Sequence, residues 1–186
     1  MSLILITRDQ NHIGGIYLGY VPTEETLYLG EGYFAGICGI LSEGNSQRVV
    51  NHFEQNGNLN GVHSGDKYAH YRQYCFFTEN NIILEHSGMN RTETFMLTGQ
   101  NSSVFGNTLV DDFQMFQNML LFLDQSNLSV KDKLIQVLKD NKRDGIDVRA
   151  VGRSCKDLRI LVGDYSGNIV FEQTIFDSTG EPIDLI

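Results

Sequence analysis

The stretch LILITRDQNHIGGIYL, residues 3–18, is the strongest strand signal in the sequence and indicates what kind of sheet the chain forms. Residues 3–7 are a dense run of apolar and β-branched side chains, and Arg8-Asp9-Gln10-Asn11 is a turn signal. Residues 13–18 then resume the strand pattern around two glycines. Two such runs joined by a short polar turn predict an antiparallel hairpin at the start of the chain.

The same signal recurs further along, where apolar runs alternate with turn residues. Two more hairpins are predicted, one around Glu79-Asn80-Asn81 and one around the turn of residues 164–167. A short apolar stretch just before Gly106 predicts a further strand. The other strand-like runs are residues 27–29, 33–41, 71–78, 82–86, 158–162 and 168–175.

A helix is predicted directly after the junction at Gly106-Asn107. Thr108 is followed three residues later by Asp111, a spacing that resembles a capping box. Residues 119–123 are apolar nearly all round, so we expect this turn to be covered on more than one side. The predicted apolar stripe consists of Leu109, Phe113, Phe116, Leu120 and Leu123.

Two more segments carry a helical period. Residues 45–54 place Val49, Val50 and Phe53 on one face. The other helix starts at Ser129, and its stripe is carried by Val130, Leu134, Val137 and Leu138. It follows the preceding helix after a short connection, which predicts two antiparallel neighbours.

The order of elements predicts an α+β fold. Most strand pairs are joined by tight turns, which favour antiparallel sheets with helices on their outer faces. Two stacked sheets between helical layers fit this order, and a single sheet with one helical face is the alternative. A length of 186 residues predicts one domain, residues 1–186, with an irregular tail from about residue 177.

Composition excludes several classes of function. The net charge of −9 does not suit a nucleic-acid partner, because phosphate backbones require basic surface. No apolar run approaches the ~18 residues of a membrane span, and residues 1–8 lack the pattern of a signal peptide. The three scattered cysteines predict reduced thiols. We therefore expect a cytoplasmic protein without membrane or nucleic-acid partners.

Nothing in the sequence indicates a cofactor or a metal. There is no phosphate-binding glycine loop, and Gly30-Glu31-Gly32 lacks the third glycine of a dinucleotide motif. His63, Asp66 and His70 would align on a helix, but the glycines around them favour a loop, and a fourth ligand is not evident.

Four segments carry a family resemblance: residues 1–9, Arg72 to Gly88, residues 104–109, and residues 145–154. In this order they resemble the family named domain of unknown function 1028, which is related to the N-terminal-nucleophile hydrolases. The resemblance covers roughly residues 1–163. It departs from the family between Ile40 and Gln47, where the usual Gln-containing segment has no equivalent, and the Gly145 loop has extra residues. It implies a four-layer αββα sandwich and no established reaction, because the family is functionally uncharacterised.

The resemblance makes Ser2 the candidate nucleophile. In N-terminal-nucleophile hydrolases the first side chain attacks an amide carbonyl, and its own α-amine, with a pKa of about 7.7–8.0, acts as the base. The alternative is a serine at the start of an edge strand. Asn107 is the candidate donor to an oxyanion, together with the backbone N–H groups of the following helix. The alternative is an ordinary turn, in which Gly106 supplies backbone freedom.

Three arginines in the family-like segments, Arg72, Arg149 and Arg153, are candidates for holding a substrate carboxylate. Salt bridges to Asp147 or Asp157 are the alternative. The resulting hypothesis is an amide hydrolase for a small amide or peptide-like ligand. A non-catalytic αββα module is the second hypothesis, forming a homo-oligomer partly through residues 119–123. A thiol enzyme using Cys38 or Cys75 is the third.

Overall fold

The structure is a computed structural model, and it describes residues 2–19, 27–39, 45–62, 72–86, 94–107, 113–140, 142–143, 146–147 and 159–174. This part of the chain holds twelve strands and three helices. The helices are α1 (Asn45–Asn56), α2 (Phe113–Gln125) and α3 (Val130–Asp140). The strands up to the second helix are β1 (Ser2–Arg8), β2 (His12–Gly19), β3 (Leu27–Gly30), β4 (Tyr33–Gly39), β5 (Arg72–Thr78), β6 (Ile82–His86), β7 (Thr94–Thr98) and β8 (Ser102–Asn107). The remaining strands are β9 (Lys142–Arg143), β10 (Ile146–Asp147), β11 (Arg159–Asp164) and β12 (Ile169–Thr174).

Two antiparallel sheets dominate the fold. The first has six strands in the order β12-β11-β2-β1-β8-β7, so the N-terminal hairpin lies in its middle. The second has four strands in the order β3-β4-β5-β6. Strands β9 and β10 form a separate small pair. The α+β class with antiparallel sheets is therefore confirmed, and all three predicted hairpins are present.

The two large sheets face each other. A methyl group on Gly36 of β4 would lie only 2.8 Å from the side chain of Ile4 in β1, and one on Gly15 of β2 would lie 3.0 Å from the Phe34 ring. At Gly36 the opposing sheet leaves no room for a side chain, and at Gly15 both the Leu5 carbonyl of the same sheet and the Phe34 ring of the opposing sheet are too close. Leu3, Ile4, Leu5 and Ile6 of β1 are all fully buried. Continuous burial of this kind indicates a strand that is covered on both faces.

Helix α1 packs on the outer face of the second sheet. Phe53 of α1 stacks on Phe76 of β5 with ring centroids 4.4 Å apart, and Val49 and Val50 complete the contact as predicted. Helices α2 and α3 pack on the first sheet, mainly through β8 and β2 respectively. The backbone N–H of Asp132 donates to Ser129 Oγ at 3.1 Å, which confirms Ser129 as the cap of α3.

The described part of α2 differs from the predicted stripe in one respect. Phe113 is 50% exposed, and the buried residues are Met115, Phe116, Met119 and Leu123. The buried face is therefore displaced toward the two methionines, which share one helix face because four residues separate them. The predicted cap at Thr108 and Asp111, together with Leu109, lies outside the described residues.

The hairpin of β7 and β8 was only half predicted. The apolar stretch before Gly106 is β8 as predicted, whereas β7 at Thr94–Thr98 is not among the predicted strands. Strand β8 pairs with β1 on one side and with β7 on the other. Strand β7 thus becomes one edge of the six-stranded sheet.

Candidate functional site

The strand register brings together the two residues predicted for catalysis. Ser2, the first residue of β1, pairs with Asn107, the last residue of β8. On its other side Ser2 pairs with Gly19 of β2, and Asn107 pairs with Thr94 of β7. Because β1 has neighbours on both sides, the alternative interpretation, in which Ser2 begins an edge strand, is wrong as to the edge.

Arg72 belongs to the same end of the stacked sheets. Along β4, Phe34 lies near Gly15, and Gly36 lies near Ile4, so β4 advances toward the Ser2 end of β1. Its last residue, Gly39, pairs with Arg72, the first residue of β5. The backbones of Ser2, Asn107 and Arg72 therefore lie at the same end of the sandwich, Ser2 and Asn107 in the first sheet and Arg72 in the second. Arg149 and Arg153 lie outside the described residues.

Four polar side chains lie buried between the two sheets: Cys38 and Gln73 near this end, Cys75 in mid-strand, and Ser103 toward the opposite end, where it pairs with Ile6. We refer to Cys38, Gln73, Cys75 and Ser103 as the inter-sheet polar cluster. The Cys38 thiol donates to Gln73 Oε1 at 3.5 Å, the Cys75 thiol is hydrogen-bonded to the Ser103 hydroxyl, and Ser103 Oγ donates to the Leu97 carbonyl at 3.2 Å. Polar groups are costly to bury even when they are bonded, so their position between two otherwise apolar sheet faces is informative.

The sequence alone does not predict these four residues as a group. The clearest sign of the cluster in the sequence is Gln73. Side chains at every second strand position lie on the same face, and Cys75 and Phe77, two and four residues after Gln73, belong to the core. The cluster offers neutral hydrogen-bonding groups: a carboxamide, a hydroxyl and two thiols. Gln73 is 5% exposed and directly follows Arg72, so it is the member nearest the N-terminal end of β5.

The buried thiols do not suit nucleophilic chemistry. Burial raises the pKa of Cys75 to about 12, and the hydrogen bond between its thiol and Ser103 only partly opposes this effect. A thiol must be partly ionised at neutral pH to attack a substrate. Cys75 is therefore a poor candidate for a thiol enzyme, and Cys38 is equally inaccessible, with 1% of its surface exposed.

A second polar region lies at the opposite end of the sandwich. Arg8 donates to the backbone carbonyls of Thr78 and Asn81, the latter at 2.8 Å. Lys133 of α3 is 5% exposed, and burial lowers its pKa, an effect that the nearby carboxylates of Asp9 and Asp124 oppose.

Both carboxylates of this region hold turns. Asp124 accepts the N–H groups of Gln100 and Asn101, each at 2.7 Å, and Asp9 accepts the N–H groups of Asn11 and His12. These contacts give this end a structural role. Within the described ranges no group of three or more His, Cys, Asp or Glu residues could hold a metal ion, and the predicted loop with His63, Asp66 and His70 lies outside them.

Solved structures show what this chain resembles. The protein SPO2555 from Silicibacter pomeroyi, described as a member of the DUF1028 family, matches with a TM-score of 0.66 and 18% identity over 88% of this chain and 73% of its own. BPH from Thiobacillus denitrificans, solved with epoxomicin, matches with a TM-score of 0.47 and 10% identity over 88% of this chain and 99% of its own. The first match confirms the resemblance at the level of the fold.

Sequence comparison adds no further relative. No family model matches the chain, and no curated protein is significantly similar to it. No helix in the part of the chain that the structure describes is long and apolar enough to cross a membrane.

Proposed function

We propose that this chain is an N-terminal-nucleophile type amide hydrolase that acts on a small amide or peptide-like substrate. The observation that carries the proposal is the register of β1 and β8, which pairs Ser2 with Asn107 inside the six-stranded sheet. A nucleophile at the first residue of an interior strand is held by hydrogen-bonded neighbours on both sides. The candidate oxyanion donor, Asn107, is on the adjacent strand, so strand pairing alone keeps it beside Ser2.

The reaction follows from ordinary amide chemistry. After removal of Met1, the Ser2 hydroxyl attacks the substrate carbonyl, and the Ser2 α-amine accepts the hydroxyl proton. The Asn107 carboxamide and neighbouring backbone N–H groups stabilise the negative oxygen. The C–N bond breaks, the leaving amine takes the proton, and an acyl ester remains on Ser2. Water, deprotonated by the same α-amine, then cleaves this ester and releases the acid.

The charged and polar residues of the candidate site suggest which chemical groups the substrate carries. Arg72, with Arg149 and Arg153 from the following family-like segment, supplies charge for a substrate carboxylate. Gln73 supplies a neutral carboxamide on the neighbouring residue. We infer a substrate that carries a carboxylate beside a small, uncharged acyl group, and no cofactor.

The finer architecture belongs to the same proposal. Helix α1 covers the outer face of the second sheet, and α2 and α3 cover the first sheet. These contacts support the four-layer αββα order. We also propose that the protein is a single domain located in the cytoplasm, without nucleic-acid or membrane partners, in keeping with its charge of −9.

The test uses native protein and a matched pair of variants. Turnover is measured on a panel of amino-acid amides and 4-nitroanilides. Ser2→Ala should abolish turnover with an unchanged melting temperature, and Ser2→Thr, which keeps a hydroxyl nucleophile, should retain part of it. If Ser2→Ala hydrolyses a substrate as fast as the wild type, the proposed nucleophile is wrong.

A non-catalytic module that assembles into a homo-oligomer is the second candidate. The predicted interface in α2 is largely used elsewhere, because Met119 and Leu123 are buried in the core, and Leu120 and Phe122 are partly buried against it. Leu121 alone in that turn is well exposed, at 53%. An assembly would therefore need another surface.

A further inference from the structure

Gln73 carries a buried amide group that is bonded through its oxygen only. The residue is 5% exposed, and its Oε1 accepts the Cys38 thiol at 3.5 Å. Within the part of the chain that the structure describes, no group accepts a hydrogen bond from the Gln73 amide nitrogen. This nitrogen is not among the fully buried atoms that lack a partner, so it keeps a small accessible surface. Because nearly all buried polar groups are bonded, the free N–H groups indicate a place for another molecule.

The strand registers show which part of the first sheet lies opposite Gln73. Gly36 of β4 lies opposite Ile4 and Ile6 of β1, because a methyl group on it would be 2.8 Å and 3.0 Å from their side chains. Two residues further along β4 is Cys38, which pairs with Gln73 of β5. Since β4 advances toward the start of β1, the Cys38–Gln73 pair lies opposite the part of β1 between Ile4 and its first residue.

This position is next to the candidate nucleophile. Ser2 pairs with Asn107, and this pair lies two residues from Ile4, which is about 7 Å along the strand. Two facing sheets stand about 10 Å apart. A short acyl group on Ser2 can therefore span the space between the sheets and reach the Gln73 amide nitrogen.

The chemistry of the surroundings defines what this nitrogen can bind. An amide N–H donates and does not accept, so the ligand must offer an acceptor oxygen. The nearby groups are neutral: the Cys38 thiol, and the fully buried side chains of Ile4 and Phe105. A carboxylate placed among them would lose its hydration without gaining a cation from any of these groups. A neutral acceptor, such as the oxygen of a carboxamide, does not carry that cost.

We infer that Gln73 determines the specificity of the proposed hydrolase by donating to a neutral acceptor oxygen at the far end of the substrate's acyl group. The substrate class is then an amide whose acyl group carries a second, uncharged amide. The Cys38 thiol occupies the Gln73 oxygen, which leaves the nitrogen for the substrate. This inference rests on the proposed function and narrows its substrate.

The test compares three N-acylglycines whose acyl groups have the same shape. Succinamoyl ends in a carboxamide, 4-methylpentanoyl in an isopropyl group and succinyl in a carboxylate. Release of glycine gives kcat/KM for each, and the wild type should prefer the succinamoyl compound to both others by about tenfold or more. Gln73→Met, which keeps the chain length and removes the amide, should lose this preference. Gln55→Met, at an exposed glutamine of α1, is the matched control and should keep it.

Binding without turnover separates this inference from the proposed function. Wild-type protein labelled with 15N is titrated with succinamate and, separately, with 4-methylpentanoate. The Gln73 side-chain amide signal is assigned by its absence in Gln73→Met, and succinamate alone should shift it. If no N-acylglycine is hydrolysed but succinamate shifts this signal, the hydrolase proposal fails and the role of Gln73 in binding stands.

Three results would overturn the inference. The first is a wild type that does not prefer the succinamoyl compound, and the second is a preference that Gln73→Met retains. The third is a protein that hydrolyses none of the compounds and whose Gln73 signal succinamate leaves unchanged. Circular dichroism and melting temperature show whether Gln73→Met is folded, and Gln73→Leu replaces it if it is not.

Discussion

Arg8 is the contact that links the two sheets at the end opposite Ser2, and its replacement should destabilise the protein strongly. Arg8 is 9% exposed. Its guanidinium donates to the Thr78 carbonyl at the end of β5 and, at 2.8 Å, to the Asn81 carbonyl in the turn between β5 and β6 of the second sheet. A longer contact of 3.5 Å reaches the Gln100 carbonyl between β7 and β8. The same group lies 5.4 Å from the centre of the Phe77 ring.

Arg8→Met keeps the aliphatic stem and removes the donors. A hydrogen bond to a charged group contributes about 1.5–3 kcal/mol, so two such bonds give about 3–6 kcal/mol. Asn81 is exposed, so water can reach part of this turn and replace some of the loss. We therefore expect the free energy of unfolding to fall by about 3 kcal/mol, which corresponds to a melting temperature lower by about 6–12 °C.

Urea denaturation followed by circular dichroism measures this change. Arg48→Met is the control, because Arg48 is exposed on α1 and its bond to the Val62 carbonyl is long, at 3.3 Å. The control should lose less than about 1 kcal/mol. If Arg8→Met loses no more than the control, Arg8 does not link the sheets in the way described.

The remaining predictions concern buried groups. Cys75 has a pKa of about 12 in the folded protein, against an ordinary 9.0, so the unfolded chain releases this proton first and the free energy of unfolding falls as pH rises above 9. Cys75→Ala should reduce this alkaline loss of stability in urea titrations. The same loss in Cys75→Ala would contradict the raised pKa of the buried thiol. Lys133 has a lowered pKa, so its burial costs stability while it is charged, and the cost disappears as pH rises toward 10.5. Lys133→Met should be at least as stable as the wild type at neutral pH and should lack that rise, whereas a clear loss at neutral pH would show that the ammonium stabilises the fold. Gly36→Val should lower stability by about 1–3 kcal/mol in thermal melts, because its side chain would meet Ile4, and a neutral effect would mean that the sheets are farther apart than described.

The hairpins were predictable because their signals are local. The turn of residues 8–11 and the turn of residues 164–167 each separate apolar runs that have no other simple arrangement. The cap at Ser129 is equally local, since donor and acceptor are three residues apart. These features need no knowledge of the rest of the chain.

Other features depend on pairings between distant segments, and so they were missed. Strand β7 is short, and Met96 and Leu97 in its middle do not favour strands by themselves; its place comes from the ladder to β8. Ser2 seemed to begin an edge strand because nothing nearby reveals that β8 covers the second side of β1. Arg8 read only as a turn residue, since its carbonyl partners come from residues about seventy positions away.

The candidate residues were predicted from the sequence, but the buried polar residues between the two sheets were not. Ser2, Asn107 and Arg72 came from the family resemblance, and the strand register places their backbones at one end of the sandwich. Gln73 and Ser103 were missed because neither residue is unusual by itself. Only the facing of β5 and β8 makes them neighbours of one buried cluster.

Whether Ser2 is a free, reactive N-terminal residue can be measured directly. Native protein is treated with a serine-acylating β-lactone, and intact-mass and peptide mass spectrometry locate the product. We predict that Met1 is absent and that a single acyl group sits on Ser2, with none on the Ser2→Ala variant. A retained Met1, or acylation that is the same in Ser2→Ala, would contradict the proposed nucleophile and leave the paired strands β1 and β8 as structure alone.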